Sequence, residues 1–285
     1  MVLHPAALAA RLALLKGGFP LYYTDYHCHS ILSMDGKVPL SVMAEHMAAA
    51  GMNEICLTDH FDLLDGDAKR CYASDMDWEA AVKQYRETLP LFEGRLTIKL
   101  GLEYGMGYIE PPESRKVLDQ PLLDFVIGSV HNLSPERGGT DLYLVDYSTE
   151  EACHLALQDY FDSMEKLVRS DFYDSLGHII YPLRYMGGKV SILSYLDRVE
   201  VLLKVLLDKG KAMEVNTCRG RTVEDWRPIL RLYRSMGGEL LTVGSDAHHP
   251  EQAAFGVKEA YEMIRESGFR YICTYDKRKA NFIQI

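Results

Sequence analysis

The sequence predicts an α/β protein, a single barrel-like domain in which strands and helices alternate. Three observations carry that expectation. Short apolar runs and longer amphipathic runs follow each other along the chain. No Pro/Ser-rich linker or break in composition divides residues 1–285, so one domain is the economical division. Histidines and acidic residues stand where the apolar runs end, as active-site groups do at the C-terminal ends of barrel strands. A length of 285 residues suits one barrel of this kind.

The elements follow in order. Residues 1–18 read as a short amphipathic N-terminal helix closed by Gly17 and Gly18, not a signal peptide, because Arg11 and Lys16 interrupt the apolar stretch and no basic leader precedes it. Tyr22 to His27 reads as a strand. Pro39 can begin a helix that runs to Ala50 and stops at Gly51. Glu54 to Thr58 is a short buried strand ending at Asp59 and His60. Asp77 to Leu91 has helical spacing, Leu96 to Leu102 is a strand with Glu103 at its end, and Asp124 to Val130 is a strand that delivers His131.

The second half repeats the rhythm. Helical stretches are expected at Thr149 to Arg169, Ser191 to Leu207, Glu224 to Met236 and Glu251 to Glu266. Strands are expected at Tyr173 to Gly177, leading to His178, at Ala212 to Val215, and at Leu240 to Val243, leading to Asp246 and His248. A last strand-like piece, Tyr271 to Thr274, precedes a basic tail. The count comes to seven or eight β/α units.

Composition narrows the function. With 47% hydrophobic and 25% charged residues the chain is an ordinary soluble globular protein. A formal net charge of −10 argues against a nucleic-acid partner, although a local positive pocket can still hold a small anion. The six cysteines form no Cys-x-x-Cys pair and read as free thiols in a reducing compartment. No run approaches the ~18 apolar residues of a membrane span. A cytoplasmic location is expected.

The chemistry begins at Thr24 to Gly36, where His27 and His29 share one face of an extended segment while Tyr26 and Cys28 point away. Later strand ends bring His60, Glu103, His131, His178, Asp246 and His248. Ligand-type residues at successive strand ends converge on one barrel mouth, so a shared metal site is expected there. Imidazole and carboxylate without thiolate suit zinc, manganese, iron or cobalt.

These motifs resemble those of the PHP (polymerase and histidinol phosphatase) superfamily: His27-x-His29 with Asp35, Thr58-Asp59-His60, Gly101-Leu102-Glu103, Gly128-Ser129-Val130-His131, Gly177-His178 and Ser245-Asp246-Ala247-His248. The resemblance covers about residues 24 to 250 and is closest to the stand-alone histidinol-phosphatase branch. It implies a distorted, TIM-like (β/α)7 barrel holding three divalent metal ions. By position it implies that His27, His29, Glu103 and Asp246 hold the first. Glu103 would bridge to a second held by His131 and His178, while Asp35, His60 and His248 hold the third. Glu103, His131, Asp246 and His248 are thereby also implied in catalysis. Some members carry histidine where this chain has Asp35, and an oxygen ligand there remains compatible with metal binding.

A cluster of such ions favours phosphate-ester hydrolysis, by in-line attack of a metal-bound hydroxide. The resemblance implies hydrolysis of L-histidinol phosphate to L-histidinol and phosphate, in histidine biosynthesis, as the activity. The alternatives are a related phosphoesterase acting on nucleotides or other small phosphate esters, and a noncatalytic metal-binding domain. Arg184 and Arg219 are the candidates for gripping the substrate phosphate. Asp25, on the face of His27, is a candidate to orient that ring, and the loop Asn132 to Tyr147 is a candidate lid. His4, His46, His154 and His249 read as surface or packing residues. Cys28 and Cys218 read as non-catalytic.

Overall fold

In the structure, a computed structural model describing residues 21–64, 77–109, 112, 115 and 118–285, seven parallel strands curl into a nearly closed barrel. Around the sheet they run β1 (Thr24–Cys28), β2 (Glu54–Leu57), β4 (Thr97–Gly105), β5 (Phe125–Ser129), β6 (Ser175–Leu176), β7 (Ala212–Asn216) and β8 (Leu241–Gly244). A short β3 (His60–Asp62) lies beside the second half of β4. The expected N-terminal helix at 1–18 lies outside the described residues.

Because β2 pairs with Thr97 to Leu100 and β3 with Glu103 to Gly105, the two act as halves of one strand broken at Thr58 and Asp59. The β8–β1 seam is held by a few bonds instead of a ladder. Asp246 N donates to His27 O at 2.8 Å, His29 N to Ala247 O at 2.9 Å, and Ser245 N to the Asp25 carboxylate at 3.0 Å.

The helices α1 (Leu40–Ala49), α2 (Trp78–Thr88), α3 (Glu150–Val168), α4 (Leu196–Lys209), α5 (Arg227–Ser235) and α6 (Val257–Glu266) contribute buried apolar residues to the main core. Their ends follow local chemistry. Asp77 accepts from Ala80 N to start α2, Thr149 accepts from Ala152 N to start α3, and Gly210 at φ 61° ends α4 in the left-handed conformation.

Four expectations are corrected. Glu103 lies within β4, two residues before its end, because the strand continues to pair with β3 and β5. The helix expected from Glu251 begins only at Val257. Gly256 packs so closely on Gly220 that an added Cβ would lie 2.7 Å from the Gly220 Cα, and Thr217 donates to Phe255 O at 2.7 Å.

The strand-like piece at Tyr271 is a strand, lying outside the barrel sheet, and what reads as a basic tail after it is a second strand. Here β9 (Tyr271–Asp276) and β10 (Lys279–Gln284) form an antiparallel hairpin. Its turn, Lys277 and Arg278, docks on the start of β5, where Arg278 N donates to Asp124 O at 2.9 Å and the Arg278 guanidinium pairs with Asp174.

Tyr26 does not point away from the barrel interior. Between Asp25 and Cys28 the register slips by one residue against β2, a bulge that turns the successive residues Tyr26 and His27 inward. Tyr26 then stacks edge-on with Phe125 at 5.1 Å in a base layer shared with Cys56 and Tyr275 of the hairpin. The interior thus has an apolar floor under a polar mouth.

Candidate metal centre

Each strand end contributes a side chain to that mouth. Register sets His60 beside Glu103, and Ser129 on the neighbouring strand donates to Glu103 Oε1 at 2.7 Å. Glu103 is the hub. Its Oε2 lies 3.1 Å from His27 Nε2, 3.6 Å from His29 Nε2 and 3.0 Å from His60 Nδ1. Its Oε1 lies 3.0 Å from His131 Nε2 and 2.7 Å from His178 Nε2.

Asp246 reaches the same space from the opposite side, with Oδ1 3.7 Å from His27 Nε2 and 3.6 Å from His29 Nε2. Asp35 approaches from the loop after β1, 3.6 Å from His60 Nε2 and 3.0 Å from His248 Nε2. That loop is tight. Gly36 presses on the Ser30 carbonyl, where an added Cβ would lie 1.8 Å from the oxygen, so only glycine fits beside Asp35.

Four clusters could each hold an ion: His27, His29 and Asp246; Glu103, His131 and His178; His29, His60 and His248; and His60, Asp62 and His131. The second coincides with an expected set, and the first contains three of the four residues expected to share an ion, Glu103 being the fourth. In the third, Asp35 stands beside His60 and His248 as expected, with the His29 ring stacked on His248 at 4.0 Å.

Several candidate ligand tips are placed as a bound metal ion would require. His27 Nε2, His29 Nε2, His60 Nδ1, His248 Nε2 and Glu103 Oε2 are buried without a hydrogen bond, although most face one another within 3.7 Å. Buried polar atoms ordinarily pair. Lone pairs that converge without bonding are arranged as ligands around a cation, and the nitrogen and oxygen donor set suits a borderline or hard divalent ion.

The electrostatics agree. Burial alone would raise the Glu103 carboxyl, but His27, His131 and His60 hold it well below the usual range. Burial opposes charge on His27 and His131, yet Glu103 and Glu214 raise the first, and Asp62 and Glu103 the second. His60 is pushed up to about 9 against the effect of burial, chiefly by Glu103 and Asp62. His29 is depressed by burial and by the neighbouring His248 and His60.

Residues not singled out from the sequence support the ligands. Glu214 accepts from His27 Nδ1 at 2.6 Å and from His178 N at 2.8 Å. An acidic residue inside the otherwise apolar run of β7 was the available signal. Asp62 holds His131 Nδ1 at 2.8 Å. Asn216 contacts Glu214 and Asp246. Asp25 is corrected: it accepts from the backbone of His27 and Ser245, at 3.3 and 3.0 Å, and leaves the His27 ring to Glu214.

Both expected arginines reach the mouth. Arg184 is buried, donates to Asp246 Oδ2 and to Asn216 Oδ1 at 2.7 Å each, and lies over the Tyr181 ring at 4.8 Å. Its Nε has no partner. Arg219 donates to Asp246 O at 3.3 Å, and its NH2 lies 3.3 Å from His248 Nδ1. Cys218, Arg219 and Asp246 all have positive φ, 45°, 59° and 61°, a concentration of backbone strain at one site.

The loop Asn132 to Tyr147 is pinned beside His131. Leu142 N donates to His131 O at 2.8 Å and the buried Tyr147 donates to Leu142 O at 2.8 Å. Of the histidines set aside, His46 lies in α1 and His154 in α3, while His4 lies outside the described residues.

Fold and site together define a parallel β/α barrel with a histidine and carboxylate centre built for metal ions at its C-terminal mouth. The PHP domain family model matches residues 25–218, more than half of the chain, and the chain belongs to that family. It is 28% identical to a histidinol-phosphatase of Lactococcus lactis subsp. lactis over 269 residues, 90% of this chain and 95% of that one. A "Probable histidinol-phosphatase" of Clostridium acetobutylicum is also 28% identical, over 89% of this chain and 97% of its own. The crystal structure of Lactococcus lactis histidinol phosphate phosphatase complexed with Zn, L-histidinol and phosphate superposes with a TM-score of 0.78 at 25% identity, covering 92% of this chain and all of that one.

Proposed function

We propose that the chain is a metal-dependent phosphomonoesterase that hydrolyses L-histidinol phosphate to L-histidinol and phosphate, a step of histidine biosynthesis. One observation carries the chemistry: buried, unbonded nitrogen and oxygen tips converge around Glu103 beside two arginines. The substrate's organic half comes from the Lactococcus relative, whose structure holds zinc, L-histidinol and phosphate.

Three divalent ions would be held as the ligands group: His27, His29, Glu103 and Asp246 for one; Glu103, His131 and His178 for another; Asp35, His60 and His248 for the third. Zinc, manganese or iron all suit these donors. When bound, such ions neutralise charge on phosphoryl oxygens and make water acidic enough to ionise near neutral pH.

The protein's own residues do the rest. Glu103 joins two ligand groups through its separate oxygens, and Glu214 fixes His27. Arg219 and the free Nε edge of Arg184 supply guanidinium donors for phosphate, and Arg184 keeps Asp246 ionised by its charge. The five described cysteines are buried and free, in keeping with a reducing, cytoplasmic setting.

The test compares L-histidinol phosphate, an aryl phosphate and a short oligonucleotide with added Zn²⁺ or Mn²⁺. Preferred turnover of the first is expected, and Glu103→Gln is expected to lower kcat/KM by about 100-fold or more together with metal content. Preference for the oligonucleotide, or full activity in the variant, would overturn the proposal.

A further inference from the structure

Ser33, in the loop between β1 and α1, touches two histidine-bearing segments at once. It is only 3% exposed. Its Oγ lies 2.7 Å from Asp59 Oδ1, 3.0 Å from His29 Nδ1 and 3.1 Å from His60 N. A hydroxyl has one proton to give and two lone pairs, a backbone N–H only donates, and an ionised carboxylate only accepts.

Both oxygens of Asp59 are placed to accept. Ser30 Oγ receives Gln84 Nε2 at 2.9 Å and Leu32 N at 3.2 Å, so its own proton goes to Asp59 Oδ2 at 2.7 Å. Ser30 N donates to Oδ1 at 2.6 Å. With both oxygens of Asp59 accepting, the Ser33 proton also points to Asp59. One Ser33 lone pair takes His60 N–H, and the other faces His29. The proton in that last bond must belong to His29 Nδ1.

We propose that Ser33, anchored by Asp59, is a positioning residue that fixes His29 as the Nδ1–H tautomer and so aims the Nε2 lone pair into the metal centre. The geometry at the other end agrees: His29 Nε2 is buried, unbonded, and 3.6 Å from both Glu103 and Asp246. The same hydroxyl ties the His60 backbone to this arrangement, so one side chain sets two ligand-bearing segments. The inference rests on reading the mouth as a metal centre.

The test reads the tautomer directly. In a long-range ¹H–¹⁵N correlation spectrum of the metal-free full-length protein, with His29 assigned by its loss in His29→Gln, Nδ1 is expected to carry the proton. Ser33→Ala is expected to give mixed tautomers and a Zn²⁺ dissociation constant raised about 10- to 100-fold, and Ser33→Thr to restore both. A merely structural role would lower thermal stability and leave the His29 nitrogens unchanged.

An Nε2–H tautomer in the wild type, or wild-type tautomer and Zn²⁺ affinity in Ser33→Ala, would overturn the proposal. If Ser33→Ala does not fold, the wild-type and Ser33→Thr spectra decide. Failure of the wild type to bind Zn²⁺ would instead overturn the reading of the centre, with the tautomer still deciding the role of Ser33.

Discussion

His27 uses both ring nitrogens, Nδ1 toward Glu214 and Nε2 toward Glu103, and cannot turn without losing one of them. Replacing Glu214 with glutamine preserves shape but weakens the acceptor that keeps Nδ1 protonated. Glu214→Gln is therefore expected to weaken metal binding by about 10- to 100-fold with little change in the fold, measured by competition with a metal chelator. Asp35 is half exposed and meets only His60 and His248 among the ligand histidines. For Asp35→Ala, elemental analysis is expected to show one fewer bound ion per chain, while the ions around Glu103 remain. The convergence of the candidate ligands was legible in the sequence because strand ends gather polar residues at one mouth. Glu214 left only the sign of an acid inside an apolar strand, and Asp62 left none, because a carboxylate that serves a histidine on another strand sets no local spacing.

At the scale of elements, boundaries that depend on contacts distant in sequence were the ones misread. Hydrophobic spacing located the seven barrel strands but not β3, and the extension of β4 through Glu103 depends on pairing with β3, as the late start of α6 depends on Gly220. The hairpin of β9 and β10 escaped for the same reason: Lys277 and Arg278 look like a basic tail until Asp124 and Asp174 are placed opposite. Gly105, the last residue of β4, shows how narrow the tolerance is. An added Cβ would lie 1.5 Å from Asp62 Oδ1, in the bond that holds His131. Gly105→Ala is expected to cost about 1–3 kcal/mol in a denaturation curve and to reduce metal occupancy, because Asp62 must move.

For the whole molecule, a floor of Tyr26, Phe125 and Tyr275 lies beneath a layer of histidines and carboxylates, so the polar groups of the mouth are packed above an apolar base. Ions that bind only the folded chain stabilise it by mass action, about 2.7 kcal/mol at a concentration a hundred times the dissociation constant. Removing metal with a chelator is expected to lower Tm by several degrees, and adding Zn²⁺ back to restore it. The alternation of strands and helices foretold the architecture; the bulge that turns both Tyr26 and His27 inward did not show, since one inserted residue changes no periodicity that a sequence displays.

The seam between β8 and β1 joins residues 220 positions apart through a few hydrogen bonds, and it is there that His27, His29 and Asp246 meet. An ion shared by those three side chains would act as a removable cross-link between the two ends of the sheet, holding closed a long loop of the chain. Occupancy of the centre then becomes a latch on the cylinder itself. The amides of His29 and Asp246 should exchange with solvent faster in the metal-free protein, while those of β4 and β5 stay protected.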